Sequence, residues 1–376
     1  MAAHPDPLAL TRELLHFDTI NPPGQEEPCA HHLGAMLEAA GYRVTYHAMG
    51  PGRANLVATI GGDADIAPLV FTGHIDIVPL GAAPWTRDPF AGETDGGRVY
   101  GRGSSDMKSG VAAFVAAAIE MAPKLARSPG ITLVITAGEE TGCMGAYDLV
   151  TKPGALGRAG AIVVAEPTGN FPFIGHRGAY WLQAKTHGVT AHGSMPEKGV
   201  NAVYKAACAV TCLEHFHYAT PPHPMMGQGT LNVGTIRGGL NINSVPDEAV
   251  IGIDMRTVPT QTHAGIREEL VAALGPEVEL DTMLSVESVY TEPQQAWVQS
   301  VFDVMQPILG SRPEPRTATY FTDAAVLKPA YGNPPTIILG PGEPQMAHQT
   351  DEYCIAERVL ESRAAFVELI RQWCRA

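Results

Sequence analysis

Basic residues are in short supply. Twenty-five lysines and arginines stand against 39 aspartates and glutamates, a net charge of −14 over 376 residues. Phosphate backbones and anionic membrane surfaces both call for a basic face, so neither is an expected partner. Long apolar runs are also missing. The longest alanine-rich one, residues 111–119, is too short to cross a bilayer. Residues 1–15 lack the basic-then-apolar order of a secretion signal. Cysteine is sparse, with six residues and no C-x-x-C pair. Cys208 and Cys212, four apart in a helical stretch, share a face and read as packed thiols, and the set fits a reducing cytoplasm. Low-complexity tracts are absent: 40 glycines and 31 prolines are spread along the chain, as turns between short elements would spread them.

What is present is a chain long enough for two cores. Residues 26–40 carry an amphipathic helix pattern that Gly41 stops. Short apolar runs at 55–60, 69–78, 131–136 and 161–165 have the length of buried strands, and a helix is expected at 110–121. That alternation predicts an α/β layer. After about Gly175 the pattern changes to strand 181–185, helix 201–217, strands 231–236 and 249–255, helix 263–274 and strand 278–284. This β-α-β-β-α-β order is the ferredoxin-like unit. Helix 294–309, strand 336–339 and helix 355–374 then resume the first pattern. The expected organisation is a first domain in two parts, 1–175 and 290–376, with 176–289 inserted between them.

The residues with chemistry to offer fall at the carboxyl ends of the expected strands, where open α/β sheets place ligands. His74 and Asp76 close the second run and, in a strand, share a face. Asp106 lies in Tyr100-Gly101-Arg102-Gly103-Ser104-Ser105-Asp106-Met107-Lys108, just before a helix, where a capping carboxylate is the plainer reading. Glu139 and Glu140 stand side by side between glycines, and like charges so close repel unless a cation is present. Glu166 follows the fourth run, and His348 lies near the C-terminus. Taken singly, each has an ordinary explanation. Together, His74, Asp106, Glu140, Glu166 and His348 make two imidazoles and three carboxylates, a donor set suited to zinc, cobalt or manganese. Two divalent ions among three carboxylates leave a net positive site, which acidifies a water held there.

At this point the chain resembles the M20 family of co-catalytic zinc peptidases and deacylases. The motifs G-H-x-D-x-V, G-R-G-x-x-D-M-K-x-G, E-E-x-G, A-E-P-T and A-H-Q-x-D-E occur in order along nearly its whole length. The resemblance implies two zinc ions per chain. His74 and Glu166 would bind one, Glu140 and His348 the other, with Asp106 bridging them. Glu139 would be the general base and Asp76 would orient His74. A cis peptide would join Asp106 and Met107. The inserted unit would be a lid and dimerisation domain, with His192 reaching the partner's active site in a homodimer. Asn243 and Arg256, and less directly Arg177 and Thr322, would hold substrate. The implied reaction is hydrolysis of the amide of an N-acyl amino acid, closer to acetylornithine deacetylases than to succinyl-diaminopimelate desuccinylases. Cleavage of dipeptides, non-catalytic binding of a carboxylate ligand and a dinuclear phosphoesterase are the alternatives.

Overall fold

A computed structural model describes residues 5–62 and 65–376. The first four residues of the N-terminal stretch read above lie outside the described residues. The chain divides into two compact units. The first holds residues up to Gly175, then Tyr290–Arg316 and Thr322–Ala376; the second holds His176–Val289 and Thr317–Phe321.

In the first unit a mixed sheet carries Arg43–Gly50, Arg53–Ile60, Ile131–Thr136, Leu69–His74, Ala161–Val164 and Thr336–Ile338 side by side in that order. Leu69–His74 runs parallel to both of its neighbours, and Thr336–Ile338 runs parallel to Ala161–Val164. Every residue of Leu69–His74, Ile131–Thr136 and Ala161–Val164 is buried, so these strands need no polar alternation. Helix Ser109–Met121 is almost wholly buried as well. Its first turn lies so close to the sheet that a Cβ on Gly110 would stand 2.1 Å from the Ala165 carbonyl oxygen, and only glycine fits there. Phe71, Phe114 and Phe366 pack together in this core.

Several elements of this unit escape the sequence reading, helices Met144–Thr151 and Ala324–Ala330 among them. Helix Pro7–Leu15 is started by Asp6, whose side chain accepts from the Leu8 amide, and by Pro7 in its first turn. Strand Arg43–Gly50 lies at the sheet edge with no fully buried residue, so it lacks the apolar run of a central strand. One expected strand is corrected. The run 69–78 stops as a strand at His74, because the chain then leaves the sheet and its Ile77 pairs with Ile20 instead. Asp76 therefore lies beyond the strand whose alternation was to align it with His74.

The second unit has the order expected of it: Gly178–His187, helix Ala202–Glu214, Thr230–Gly238, Glu248–Thr257, helix His263–Leu274 and Val278–Val286. Its four strands form an antiparallel sheet in the order Thr230–Gly238, Glu248–Thr257, Gly178–His187, Val278–Val286. Asn201 caps the first helix by accepting from the Val203 and Tyr204 amides, and Thr262 caps the second through the Gly265 amide. Leu182, Ala206, Leu213, Ile251, Ile253, Ile266 and Leu270 fill the space between helices and sheet. Among the described residues no helix is long and apolar enough to cross a membrane.

Candidate metal centre

Three parallel strand ends and two loops of the first unit converge on one cluster. His74 is the last residue of its strand. Its Nδ1 lies 2.9 Å from the backbone oxygen of Asp76 and 3.5 Å from the Asp76 carboxylate. The carbonyl is thus the nearer partner, and it fixes the ring with Nε2 turned toward the Asp106 carboxylate at 3.2 Å and the Glu166 carboxylate at 3.8 Å. The Asp76 carboxylate has other partners. It accepts from the Glu139 amide at 3.0 Å, the Glu140 amide at 3.2 Å and the Asn21 side chain at 2.9 Å. Asp76 therefore orders the turn that carries both glutamates.

Asp106 is not a helix cap. Its backbone is extended (φ −118°, ψ 93°), and the Asp106–Met107 peptide bond is cis. Its second carboxylate oxygen lies 3.5 Å from His348 Nε2, and Glu140 Oε2 lies 3.1 Å from the same nitrogen. His348 has a left-handed backbone (φ 64°) in its loop. Donor atoms of His74, Asp106 and Glu140 all lie within 4.8 Å of one another, as do those of His74, Glu139 and Glu166. Glu139, taken from sequence as a base only, thus also lies within donor range of His74 and Glu166.

The charges of this cluster are poorly compensated by the protein alone. Burial pushes the Glu139 carboxyl well up, and Glu166, Asp323 and Glu140 add to the effect. Glu166 is raised well above the usual range by burial and by Asp106, Glu140 and Asp323. Hydrogen bonds to Asp106 and Glu140 raise His348 to about 10. Burial opposes the charge on Asp106, yet hydrogen bonds to both histidines hold its carboxyl low. Glu140 Oε1 is buried with no hydrogen-bond partner. A buried carboxylate oxygen without a donor is costly, and a cation among these groups would satisfy it and relieve the repulsion. The residues fit divalent metal.

The other candidates belong to the second unit, apart from Thr322. His192 is exposed, and its Nδ1 lies 2.7 Å from Ser194 Oγ and accepts from the Ser194 amide. Asn243 is exposed, and its carbonyl accepts from the Gly193 amide. Arg256 pairs with Asp254 at 3.0 Å. Arg177 donates to the carbonyls of Gln228 and Met226, which makes it a brace within its own unit. Thr322 is fully buried, and its hydroxyl accepts from the Ala324 amide two residues on. Its neighbour Asp323 is the residue that bears on the cluster: it accepts from Thr136 Oγ1, and burial raises its carboxyl to about 6. Asn21, Arg102, Asp323 and Glu352 were all missed as site residues. Arg102 and Glu352 stood inside quoted motifs, which was their only signal.

Imidazole and carboxylate donors gathered at the strand ends and neighbouring loops of an α/β unit define a class, the α/β proteins with a candidate divalent-metal centre. The comparisons give the family. Residues 70–372 match the model of peptidase family M20/M25/M40. The chain is 30% identical over 336 residues to an acetylornithine deacetylase of Pasteurella multocida (strain Pm70), covering 85% of this chain and 84% of that protein. It is equally 30% identical over 386 residues to a succinyl-diaminopimelate desuccinylase of Cereibacter sphaeroides (strain ATCC 17029 / ATH 2.4.9), covering 98% and 99%. The crystal structure of an M20 family metallo-carboxypeptidase, Sso-CP2 from Sulfolobus solfataricus, shares the fold with a TM-score of 0.79 at 17% identity, covering 98% of this chain and 99% of that one. The chain belongs to peptidase family M20/M25/M40 and is a hydrolase acting on amide bonds.

Proposed function

We propose that the chain is a dinuclear metal-dependent deacylase that hydrolyses the amide bond of an N-acyl amino acid. The observation that carries this reading is the cluster itself: two imidazoles and four carboxyl groups converge, one buried carboxylate oxygen has no partner, and burial raises the Glu139 carboxyl well above its usual range. His74 and Glu166 would hold one ion, Glu140 and His348 the other, and Asp106 would reach both. Zinc suits this set, with cobalt or manganese as substitutes. Bound metal would polarise the amide carbonyl and acidify water.

The chain's own residues do the rest. Glu139 takes a proton from the attacking water and passes it to the leaving amine nitrogen, as a carboxyl with a raised pKa can. Its backbone is held for this by Asp76, which Asn21 fixes in turn. In the second unit, Ser194 donates its amide proton to His192 Nδ1, so the ring's own proton rests on Nε2. That N–H is the group offered to the developing oxyanion. Arg256 would meet the substrate carboxylate, exchanging its Asp254 partner for a planar, bidentate one, with Asn243 beside it. Arg177 and Thr322 are the weaker substrate candidates, each already bonded to backbone within its own unit.

A homodimer agrees with the second unit's surface. Leu240 and Ile242 are exposed almost without cover, and the edge strand Thr230–Gly238 presents Ile236. Uncovered edges and apolar side chains of this kind are what an interface between copies would bury. Six free cysteines accord with a reducing cytoplasm.

Acetylated, succinylated and dipeptide substrates share the same amide and carboxylate, and the similarity to a metallo-carboxypeptidase keeps peptide cleavage as the second reading. The test is a hydrolysis panel of N-acetylornithine, N-succinyl-diaminopimelate, other N-acyl amino acids and dipeptides, run beside metal analysis. Turnover concentrated on acyl amino acids, with two metals per chain, is expected. Preference for dipeptides would install the second reading, and zinc-reconstituted protein without about two metals would refute the site.

A further inference from the structure

The side chain with the densest set of partners near the cluster is one that binds nothing in the reading above. Glu352 is fully buried and follows His348 by four residues on the same loop. Its Oε1 accepts from the amides of Ser105 at 2.8 Å and Asp106 at 3.0 Å; its Oε2 accepts from the Gly103 amide at 3.0 Å and from Arg102 Nη1 at 2.7 Å. Three amides of the loop that carries Asp106 thus end on one carboxylate of the loop that carries His348. Because Asp106 is not helical, its amide has no place in a helical ladder, and Glu352 supplies the acceptor.

Arg102 answers in the opposite direction. It is 2% exposed, and its guanidinium donates to the carbonyls of Gln349 at 3.1 Å and His348 at 3.4 Å, with a further bond to Pro79. Each loop therefore lends the other one charged side chain, and each charge ends on the other loop's backbone. A buried ion pair needs further hydrogen bonds to satisfy its remaining lone pairs and protons, and the backbone of the opposite loop supplies them. Here the shared contacts fall on the residues whose side chains face each other across 3.5 Å, Asp106 and His348.

We infer that Glu352, clasped by Arg102, is a positioning residue that sets the spacing between Asp106 and His348, and through it the affinity of one metal position far more than the other. This rests on the proposed ligand roles. The position formed by Glu140 and His348 depends on the clasp. The position formed by His74 and Glu166 shares only Asp106 with the clasp, because His74 is held by the Asp76 carbonyl and Glu166 follows its own strand.

Metal-free wild type and Glu352→Gln are titrated with Co²⁺ against a chromophoric chelator, and the visible Co²⁺ spectrum is followed at one and two equivalents. Wild type must first bind two ions; if it does not, the ligand roles fail and the clasp is not the reason. Given two, the expected result for the variant is one site within about 3-fold of wild type and the other weakened ~10–100-fold, the usual cost of losing a group behind a ligand. Lost turnover should return at high free metal with KM little changed. Equal weakening of both sites, or of neither, overturns the inference. Circular dichroism of the metal-free proteins reports folding. Should Glu352→Gln not fold, Arg102→Lys keeps the charge but gives up the fork, and is judged by the same two affinities.

Discussion

The two units keep their polar residues in opposite ways. In the first, the groups with chemistry, the exposed His348 apart, are buried or nearly so, and the side chains behind them have several partners: Asp76 takes three donors, Glu352 four, and Lys108 donates from full burial to the carbonyls of Leu14 and Phe17. In the second, His192 and Asn243 are exposed and bonded only to their immediate surroundings, while Leu240 and Ile242 have no cover. Groups that must hold a fixed geometry before a ligand arrives are locked by burial and redundant hydrogen bonds. On the proposed reading, groups that would meet a substrate or another copy of the chain stay open until they do.

The sharpest way to break this contrast is Glu139→Gln. It should lower turnover about 10²–10⁴-fold with metal content unchanged, measured by hydrolysis and metal analysis on the same sample. Retained turnover would move the base elsewhere. His192→Ala, on the exposed side of the comparison, should cost about 10²–10³-fold in kcat. Mixing His192→Ala chains with Glu139→Ala chains should then restore activity, and failure to do so would place each histidine on its own chain's substrate.

A third prediction tests a buried histidine of the second unit, His263. His263 stacks on Tyr180 and contacts Thr257 and Ser285, and burial lowers it to about 4 from an ordinary 6.5. It stays neutral in the folded chain while the unfolded chain takes up a proton. Stability is therefore lost as pH falls from about 6.5 to about 4, by on the order of 3 kcal/mol. Urea midpoints of wild type and His263→Phe across that range should converge at acid pH, and parallel curves would show that the histidine is not held neutral. The smallest effect on stability belongs to Leu240→Asp with Ile242→Asp. These exposed positions should change unfolding by less than about 0.5 kcal/mol while shifting sedimentation to a single chain. An unchanged mass would assign the patch to something other than self-association.

The fold class was legible because its strands and helices bury apolar stripes with the right period, most plainly in the β-α-β-β-α-β run. Helix Pro7–Leu15 and strand Arg43–Gly50 were less so, since the first is short and the second is half exposed at an edge. The members of the cluster were visible as residue types at strand ends. Their supports were not. Asp76 acts through its carbonyl on His74 and through its carboxylate on the Glu139 turn, and a strand period cannot express that division. Attention to Thr322 missed Asp323 beside it, because only the folded chain brings Asp323 to Thr136. Sequence spacing holds no record of partners 187 residues apart.

That separation has a consequence for how the protein is made. Glu352 and its partner Arg102 are 250 residues apart, and His348 shares the late segment. Synthesis proceeds from the N-terminus, and domains fold as units while it does. When residue 289 has left the ribosome, the inserted unit has its whole β-α-β-β-α-β core, but the Asp106 loop still lacks the carboxylate that gathers its amides. The cluster closes only when His348 and Glu352 arrive, so a product stalled before them can hold a folded second unit and no assembled site. Synthesis of the segment that carries His348 and Glu352 acts as the final step in assembling the site.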